Sequence, residues 1–517
     1  MRINLPGIPL RRIQPKPFAL FWALCATVYA IVFVGSEFAG SPVAGAKGLI
    51  SLLMQWAVVG SAAAALIGLM AVNRRVFAVC FPILTGASTI AAYFRLTLGL
   101  SLTPTLIDLT VTNDMSTWAS VITPQLIMLT IAGLDLGLAA ALFRLRHVAP
   151  PRHPLVWTAG FLIAAMAPVS FIPRFKAPVI ARIPYSFYFA CSDYLTNRRA
   201  IAETRTTFDR IPATAPSDAP TVVFVIGESL RPDHLQLNGY GRPTTPSLSA
   251  DSTVVSLPRM RTDQLYTHVS VPHIVSRADS LNPDIAYSEQ SFISLFRKAG
   301  YRTAWLSNQD EVETYAYFMH EADTLVRCNG ARSLYAYDKW LDTDLLPAFD
   351  DFMQGNGGKK LAILHTIGSH WWYRSHYPDS LAVFRPEINS RIVSELTQEQ
   401  MVNSYDNTIL ATDMFLARLI GRLRGLNAVM IFISDHGEAL GENGNYLHGD
   451  DYEELHPTAC FVWYSSEFAR RYPEKTAALR NNASRPMLTD VMFHSVLDAA
   501  SISTPALDPS QSIFTSR

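Results

Sequence analysis

The chain has 517 residues, and its 43 basic and 43 acidic residues balance to a formal net charge of zero, which neither favours nor excludes a nucleic-acid partner. Its five cysteines are widely spaced and form no CxxC pair, which excludes a dense disulfide framework. The composition divides sharply near residue 173, because long apolar stretches dominate only the part before it.

Five apolar stretches precede that boundary, each close to the roughly 20 residues that cross a bilayer. They cover residues 18–36, 49–71, 76–94, 119–143 and 155–172. One such stretch also fits a buried core helix, but five in succession, with charges almost confined to the links, favour membrane-spanning helices. The first stretch lacks a clear small-x-small cleavage site and is interpreted as a retained helix, not a signal peptide. We therefore predict a transmembrane domain of five helices over residues 1–172.

Basic residues mark alternate links and set the orientation. They precede the first stretch or lie between the second and third or the fourth and fifth: Arg2, Arg11, Arg12, Lys16, Arg74, Arg75, Arg144, Arg146 and Arg152. The other links hold only Lys47 and Arg95 as cations. The positive-inside rule then predicts a cytoplasmic N-terminus. Five crossings place everything after residue 173 in the periplasm of a bacterium, which argues against a nucleic-acid partner.

Two further regions follow the apolar part. Residues 173–219 are rich in Arg, Pro, Ala and Thr and are predicted to form a juxtamembrane segment and linker. In residues 220–517 apolar runs alternate with helical patterns, which predicts one periplasmic α/β domain with a mostly parallel central sheet. At most one disulfide is expected among the three cysteines outside the apolar stretches, namely Cys191, Cys328 and Cys460.

Three predicted strands end in residues that bind metals. TVVFVIG precedes Glu228, LAILHTIGS precedes His370, and VMIFIS precedes Asp435 and His436. Because the carboxyl ends of parallel strands share one edge of a sheet, we expect these residues to converge. Two carboxylates and an imidazole suit one Zn²⁺, with Mn²⁺ as the alternative, and His370 with His448 suggests a neighbouring substrate or second metal site. Alone, a strand-end Asp is most often a helix cap or turn former, and a lone His is usually structural.

The segment DQLYTHVSVPHIVSR offers a nucleophile. Thr267 is predicted at a helix N-terminus, where free amides bind anions and a nearby metal would stabilise its alkoxide. A threonine before a helix is also a common N-cap. Position alone does not separate Thr267 from Ser270 or Thr262. Four other histidines have no comparable support and are interpreted as structural or peripheral: His365, His376, His456 and His494.

Six longer segments carry a resemblance to a known family. They read VVFVIGESLRPDHLQLNGYGRPTTP, YTHVSVPHIVS, WLSNQ, HTIGSH, YDNTILATD and SDHGEALGENGNYLHG. With the five apolar stretches before them, the chain resembles the phosphoethanolamine transferases of Gram-negative inner membranes, members of the alkaline phosphatase and sulfatase superfamily. The resemblance implies an alkaline-phosphatase-like fold and zinc ligands at Glu228, Thr267, Asp435 and His436. It also implies that Thr267 is the nucleophile and that His370 and His448 handle the substrate phosphate or a second zinc.

The function that the resemblance implies is a group transfer. The threonine attacks phosphatidylethanolamine, diacylglycerol leaves, and the phosphoethanolamine passes to lipopolysaccharide, at lipid A or core, or to another envelope glycan. The protein is expected to act as a monomer. A polar segment after the third stretch, Thr112-Asn113-Asp114, resembles one that helps to bind the lipid headgroup.

Several positions depart from the lipid A-modifying members and leave the acceptor open. Asp263 and His273 stand where those members keep cysteines, and Trp371-Trp372 follows HTIGSH, where a tryptophan can stack on a sugar or simply be buried. A Lys that follows the WLSNQ-like strand in those members is not obvious here.

The residues also fit other functions. A phosphoglycerol transferase, or a related membrane-anchored phosphodiesterase or hydrolase, shares the nucleophile and metal site. A phosphatase, which passes its intermediate to water, and a catalytically dead scaffold are further alternatives. A sulfatase needs C/S-x-P-x-R, which fails at Ile274.

Overall fold

The structure is a computed structural model. It describes residues 17–39, 41, 45–98, 101–104, 106–107, 111, 123–202, 205–329, 339–355, 358–390, 393–448 and 451–516. These residues form two compact units, which divide between Ser192 and Asp193. The segment Thr112-Asn113-Asp114 and the basic residues before the first apolar stretch lie outside the described residues.

The first unit is helical. Its helices are α1 (Phe18–Tyr29, continued by a π-helical turn at Ala30–Val34), α2 (Gly45–Val72), α3 (Arg74–Leu98), α4 (Pro124–His147), α5 (Pro154–Ser170), α6 (Pro173–Ile180) and the start of α7 (Ser186–Ala202). By length and composition, α2, α3 and α4 can each cross a membrane, and α5 with α6, bent by 100°, counts as a fourth candidate. The apolar helix Phe18–Val34 is shorter. In the described ranges the structure thus has three or four candidate spans, and the count of five stays a prediction.

Small residues allow α3 and α4 to pack closely. A Cβ atom added at Gly133 would lie 2.1 Å from Thr89 Oγ1, and one at Gly137 would lie 2.5 Å from the Cα of Pro82. Gly133 and Gly137 are four residues apart, so both face α3, as in the small-xxx-small pattern of membrane helix pairs. Arg144 is buried at the end of α4, where its guanidinium donates to the Ala71 carbonyl that closes α2.

The second unit is built on a seven-stranded sheet with the order β2-β10-β7-β1-β6-β4-β5. The strands of this unit are β1 (Thr221–Gly227), β2 (Val254–Ser256), β3 (Met260–Arg261), β4 (Arg302–Ser307), β5 (Thr324–Arg327), β6 (Lys360–His365), β7 (Ala428–Ser434), β8 (Ala439–Leu440), β9 (Tyr446–Leu447), β10 (Cys460–Tyr464) and β11 (Met487–Leu488). Strands β5, β4, β6, β1 and β7 are parallel, and β10 is antiparallel to β7 and β2. The predicted mostly parallel sheet is confirmed.

Helices cover both faces of this sheet. They are α8 (Pro246–Ala250), α9 (Thr267–Val275), α10 (Ile285–Ser288), α11 (Phe292–Lys298), α12 (Glu313–Glu321), α13 (Leu345–Gln354), α14 (Gln398–Leu423), α15 (Ser466–Arg471), α16 (Pro473–Asn482) and α17 (Val491–Ala499). Alternate residues of β1 enter two separate cores, Phe224 and Ile226 on one face, Val223 and Val225 on the other. Every residue of β7 is buried, as expected for a parallel strand covered on both faces.

Candidate active site

The register of two neighbouring strands brings the predicted metal ligands together. Gly227 of β1 lies opposite Ser434 of β7 in the parallel ladder. The next residues along each strand, Glu228 and Asp435, therefore leave the sheet side by side, with His436 directly after. One ligand atom from each of these three residues lies within 4.8 Å of the others, and all three side chains are buried. The convergence predicted from the strand ends is present in the structure.

The donor atoms of this cluster fit a divalent cation. Asp435 Oδ2 and His436 Nε2 are buried and lie 3.4 Å apart, and neither has a hydrogen-bond partner among the described residues. The Nε2 atom is also 3.6 Å from Glu228 Oε1. His436 Nδ1 lies 2.7 Å from the Gly437 carbonyl, so this nitrogen carries the proton and leaves Nε2 as an acceptor, which is the usual arrangement of a metal-binding histidine. Two oxygens and one nitrogen are a common zinc set.

The charges of the cluster also call for a cation. Burial and the neighbouring Glu228 raise the pKa of Asp435. At Glu228 burial likewise opposes ionisation, but His436, His370 and His448 outweigh it and lower its pKa. Two buried carboxyl groups in contact ionise together only where positive charge compensates them.

Thr267 completes the cluster. It is the first residue of α9, it is half-buried, and its hydroxyl donates to Glu228 Oε2 at 2.8 Å. Ser270, which position alone did not separate from Thr267, is fully buried and donates to the Asp435 carbonyl at 2.7 Å. Thr262 is also buried, and its hydroxyl bonds to the Gln264 backbone. Among the three hydroxyls only that of Thr267 bonds to a carboxylate of the cluster.

Two residues that hold Glu228 were not assigned a role from the sequence. The Ser229 hydroxyl donates to Glu228 Oε1 at 2.7 Å, and Gln309 Nε2 donates to Oε2 at 2.9 Å. Ser229 also donates its backbone N–H to Asp435 Oδ1 at 3.0 Å, from a backbone with φ of 55°. Both residues fall in the GES and WLSNQ motifs, so their place in those motifs was the available signal.

The two remaining predicted histidines lie beside the cluster. The His448 ring centroid is 4.8 Å from that of His436 and 6.4 Å from that of His370. His448 Nδ1 contacts Glu438 Oε2 at 3.1 Å. Burial by itself would lower the pKa of His448, but Glu438 outweighs it and raises this pKa to about 9. Glu438, which is fully buried, is a further residue that the sequence reasoning left without a role.

The departures from the lipid A-modifying pattern have distinct environments. Trp372 is buried in the core beneath the sheet, whereas Trp371 is half-buried, so only Trp371 presents an accessible ring. Asp263 is exposed and His273 is buried. All five cysteines are free in the described residues.

The four histidines interpreted as structural or peripheral bond to or pack against groups elsewhere in the second unit. His365 lies in the core between the Trp305 and Tyr315 rings. The others bond to backbone groups or to an exposed carboxylate: His376 to the Trp340 carbonyl, His456 to the Thr262 carbonyl and to Asp451, and His494 to the Asp508 amide.

The motifs LNGYGRPTTP and YDNTILATD contact each other through Asp406. Asp406 is fully buried in α14 and accepts hydrogen bonds from Tyr240 and Arg242, and it contacts His234 Nδ1 at 2.8 Å. Asp413, about two turns further along α14, accepts from the first amides of α8. These carboxylates fix the loop that follows β1 onto α14, which gives both motifs a structural role.

Comparisons with known proteins identify the family of the second unit. The model of the Sulfatase family matches residues 220–502. The phosphatidylethanolamine transferase Mcr-2 of Escherichia coli is 32% identical over 272 residues, which cover 49% of this chain and half of that relative.

Two solved structures share the fold. The integral membrane lipooligosaccharide phosphoethanolamine transferase A (EptA) of Neisseria meningitidis has a TM-score of 0.55 at 24% identity and covers 96% of this chain and 99% of its own. The periplasmic domain of Escherichia coli EptC in complex with Zn has a TM-score of 0.53 at 24% identity and covers 59% and 89%. The family model alone spans more than half of the chain, and the protein belongs to the sulfatase family.

Proposed function

We propose that this protein is a zinc-dependent phosphoethanolamine transferase of the bacterial inner membrane. The observation that carries the proposal is the contact of the Thr267 hydroxyl with Glu228, 2.8 Å away, beside the unpartnered donor atoms of Asp435 and His436. A hydroxyl that donates its hydrogen bond to a metal-binding carboxylate is placed to attack phosphorus, and not only to bind the substrate. The relatives named for phosphoethanolamine transfer support the choice of group.

Glu228, Thr267, Asp435 and His436 would hold the metal ion, and zinc is supported by the Zn-containing EptC domain. A bound Zn²⁺ would stabilise the threonine alkoxide and polarise the phosphoryl oxygens. The protein itself fixes the ligands, because Ser229 and Gln309 hold the Glu228 carboxylate and the Gly437 carbonyl sets the His436 tautomer.

The first chemical step is transfer to the threonine. Thr267 Oγ forms a bond to phosphorus, and the bond from phosphorus to the diacylglycerol oxygen breaks. The Thr267 hydroxyl donates its proton towards Glu228 Oε2, 2.8 Å away. In the net reaction the diacylglycerol oxygen gains one proton. His370 and His448, whose rings are 6.4 Å apart, contact the phosphate oxygens and the departing group. In the second step a hydroxyl or phosphate of the acceptor attacks the phosphothreonine and releases Thr267.

The proposal includes the membrane arrangement. Residues 1–172 form five membrane helices with a cytoplasmic N-terminus, residues 173–219 link them to the catalytic domain, and residues 220–517 lie in the periplasm. This arrangement brings a soluble active site to a lipid donor, phosphatidylethanolamine, and to lipopolysaccharide as the acceptor. The protein acts as a monomer in this scheme.

A covalent adduct tests the proposal. The full-length protein, purified with zinc, is incubated with phosphatidylethanolamine vesicles and digested for mass spectrometry. We expect a phosphoethanolamine mass on the peptide that contains Thr267, and none in Thr267→Ala. Thr267→Ser keeps the hydroxyl and should keep the adduct at a reduced rate. An adduct that persists in Thr267→Ala would refute the nucleophile assignment.

Two controls separate the donor and the metal. Vesicles of phosphatidylglycerol test the phosphoglycerol alternative, since a phosphoglycerol adduct there without one from phosphatidylethanolamine would overturn the headgroup assignment. Glu228→Gln and Asp435→Asn should lose bound zinc, measured by elemental analysis, together with the adduct. An adduct formed at the wild-type rate without zinc would contradict the metal role.

A further inference from the structure

A buried carboxylate lies behind the candidate active site without contacting the metal ligands. Asp342 begins the 3₁₀ turn that precedes α13 and is buried. Its Oδ1 accepts a hydrogen bond from the backbone N–H of Ile367 at 2.8 Å and from Asn308 Nδ2 at 2.8 Å. Its Oδ2 accepts from the N–H of Gly368 at 3.0 Å. In the part of the chain that the structure describes, Asp342 has no salt bridge, so these three hydrogen-bond donors stabilise its carboxylate.

The two backbone donors belong to the turn that presents His370. This turn follows β6 and closes with a hydrogen bond from the His370 N–H to the Ile367 carbonyl at 3.1 Å. Within it, the Ser369 N–H donates to the Glu228 carbonyl at 3.1 Å. The position of the His370 ring thus depends on a turn whose first two amides are held by Asp342.

The third donor belongs to the strand end that supports Glu228. Asn308 directly follows β4, and the next residue, Gln309, donates to Glu228 Oε2 at 2.9 Å. The Asn308 backbone N–H also bonds to the His365 carbonyl at 2.7 Å, which ties the ends of β4 and β6 together. The Asp342 carboxylate therefore connects the ends of two strands. The end of β4 supports Glu228, and the turn after β6 presents His370.

We propose that Asp342 is a positioning residue for the substrate phosphate, acting through the turn that presents His370. This inference rests on the proposed function and goes beyond it, since among the described residues Asp342 bonds to Asn308, Ile367 and Gly368 and to none of the candidate metal ligands. Charge-assisted hydrogen bonds to backbone amides fix a turn more firmly than neutral ones. A site group must be held within about 0.5 Å of its working position to be effective.

Asp342→Asn is the informative variant. The asparagine oxygen can still accept a hydrogen bond from one backbone amide. Its NH₂ group, however, then faces another donor and cannot accept that hydrogen bond. Asp413→Asn is the matched control, because Asp413 is also a buried carboxylate that accepts from two consecutive backbone amides, those of Ser247 and Leu248 at 3.0 and 2.9 Å. It holds α8 and not the loop of His370.

The test measures adduct formation on full-length, zinc-loaded protein at saturating phosphatidylethanolamine, with thermal unfolding and zinc content recorded in parallel. We expect Asp342→Asn to slow the adduct by about tenfold to hundredfold, the effect of losing hydrogen bonds to an ionised group, with zinc retained. Asp413→Asn should change the rate by no more than about twofold, even where it lowers the unfolding temperature equally. In a His370→Ala background, Asp342→Asn should add much less than its own single effect.

The outcomes separate the two ideas. A normal adduct in the wild type with an equal rate in Asp342→Asn would overturn the positioning role alone. Rates that fall in parallel with the unfolding temperature for both variants, or that multiply fully with His370→Ala, would also overturn it and make Asp342 a purely structural residue. No adduct in the wild type would instead overturn the proposed function, and the positioning role with it.

Discussion

Substitution of Gly368 tests how closely the turn after β6 approaches the candidate metal ligand Glu228. Gly368 has a φ of 46°, and a Cβ atom added there would lie 2.9 Å from the Glu228 carbonyl oxygen and 3.2 Å from the Glu228 Cβ. To reach 3.4 Å, where ordinary van der Waals contact begins, the carbonyl has to move by about 0.5 Å. Zinc sites tolerate only about 0.2 Å in their ligand distances. We therefore expect Gly368→Ala to weaken zinc binding by at least about tenfold.

The left-handed backbone alone costs an alanine roughly 1–2 kcal/mol, so a control must separate this cost from the contact. Gly239 has a φ of 95° and no atom within 4 Å of an added Cβ. Gly239→Ala should therefore lower the free energy of unfolding by that amount and leave zinc affinity unchanged. Zinc affinity is measured by competition with a chelator, and stability by thermal unfolding in detergent. Equal zinc affinity in wild type and Gly368→Ala would refute the reasoning, and so would equal losses in the two alanine variants.

Two further predictions concern buried polar groups. Gln309→Leu removes the hydrogen-bond donor 2.9 Å from Glu228 Oε2. We expect it to weaken zinc binding by about tenfold to hundredfold, with little change in unfolding temperature. An unchanged zinc affinity in chelator competition would contradict this prediction. Burial raises the pKa of Glu321 from 4.5 to about 7, so the folded state holds its proton more tightly and stability falls as pH rises between these values. Glu321→Gln should remove this loss of roughly 3 kcal/mol in the free energy of unfolding. If the free energy of unfolding has the same slope against pH in both proteins, the pKa shift is absent.

The mostly parallel sheet and the convergence of the three candidate metal ligands were predictable because they follow from local pattern. Each of β1, β6 and β7 is a short apolar run that ends in a polar residue, and parallel pairing then forces those ends together. Only the order of the strands was missing. It decides that Glu228 neighbours Asp435 through the β1–β7 ladder, with β6 on the other side of β1.

The rest of the site was less visible from the sequence, for physical reasons. Thr267 could not be separated from Ser270 by position, because the helix axis and the depth of each hydroxyl decide which one reaches a carboxylate. Asp342 gave no signal, since two of its three donors are backbone amides, which any residue supplies. In the first unit, hydropathy predicts apolar length well, but it does not predict the 100° bend between α5 and α6.

The hydrogen bonds around Glu228 explain why a substitution of the candidate nucleophile should also impair metal binding, and a substitution near the candidate metal ligands should also impair the nucleophile. Its carboxylate accepts from Ser229, Gln309 and Thr267, so most of its lone pairs are already engaged by the protein before any ion binds. A carboxylate so constrained cannot turn to compensate for a lost partner. Removing Thr267 or Gln309 then alters the remaining ligand geometry as well as its own contact, and single substitutions in this group should not add.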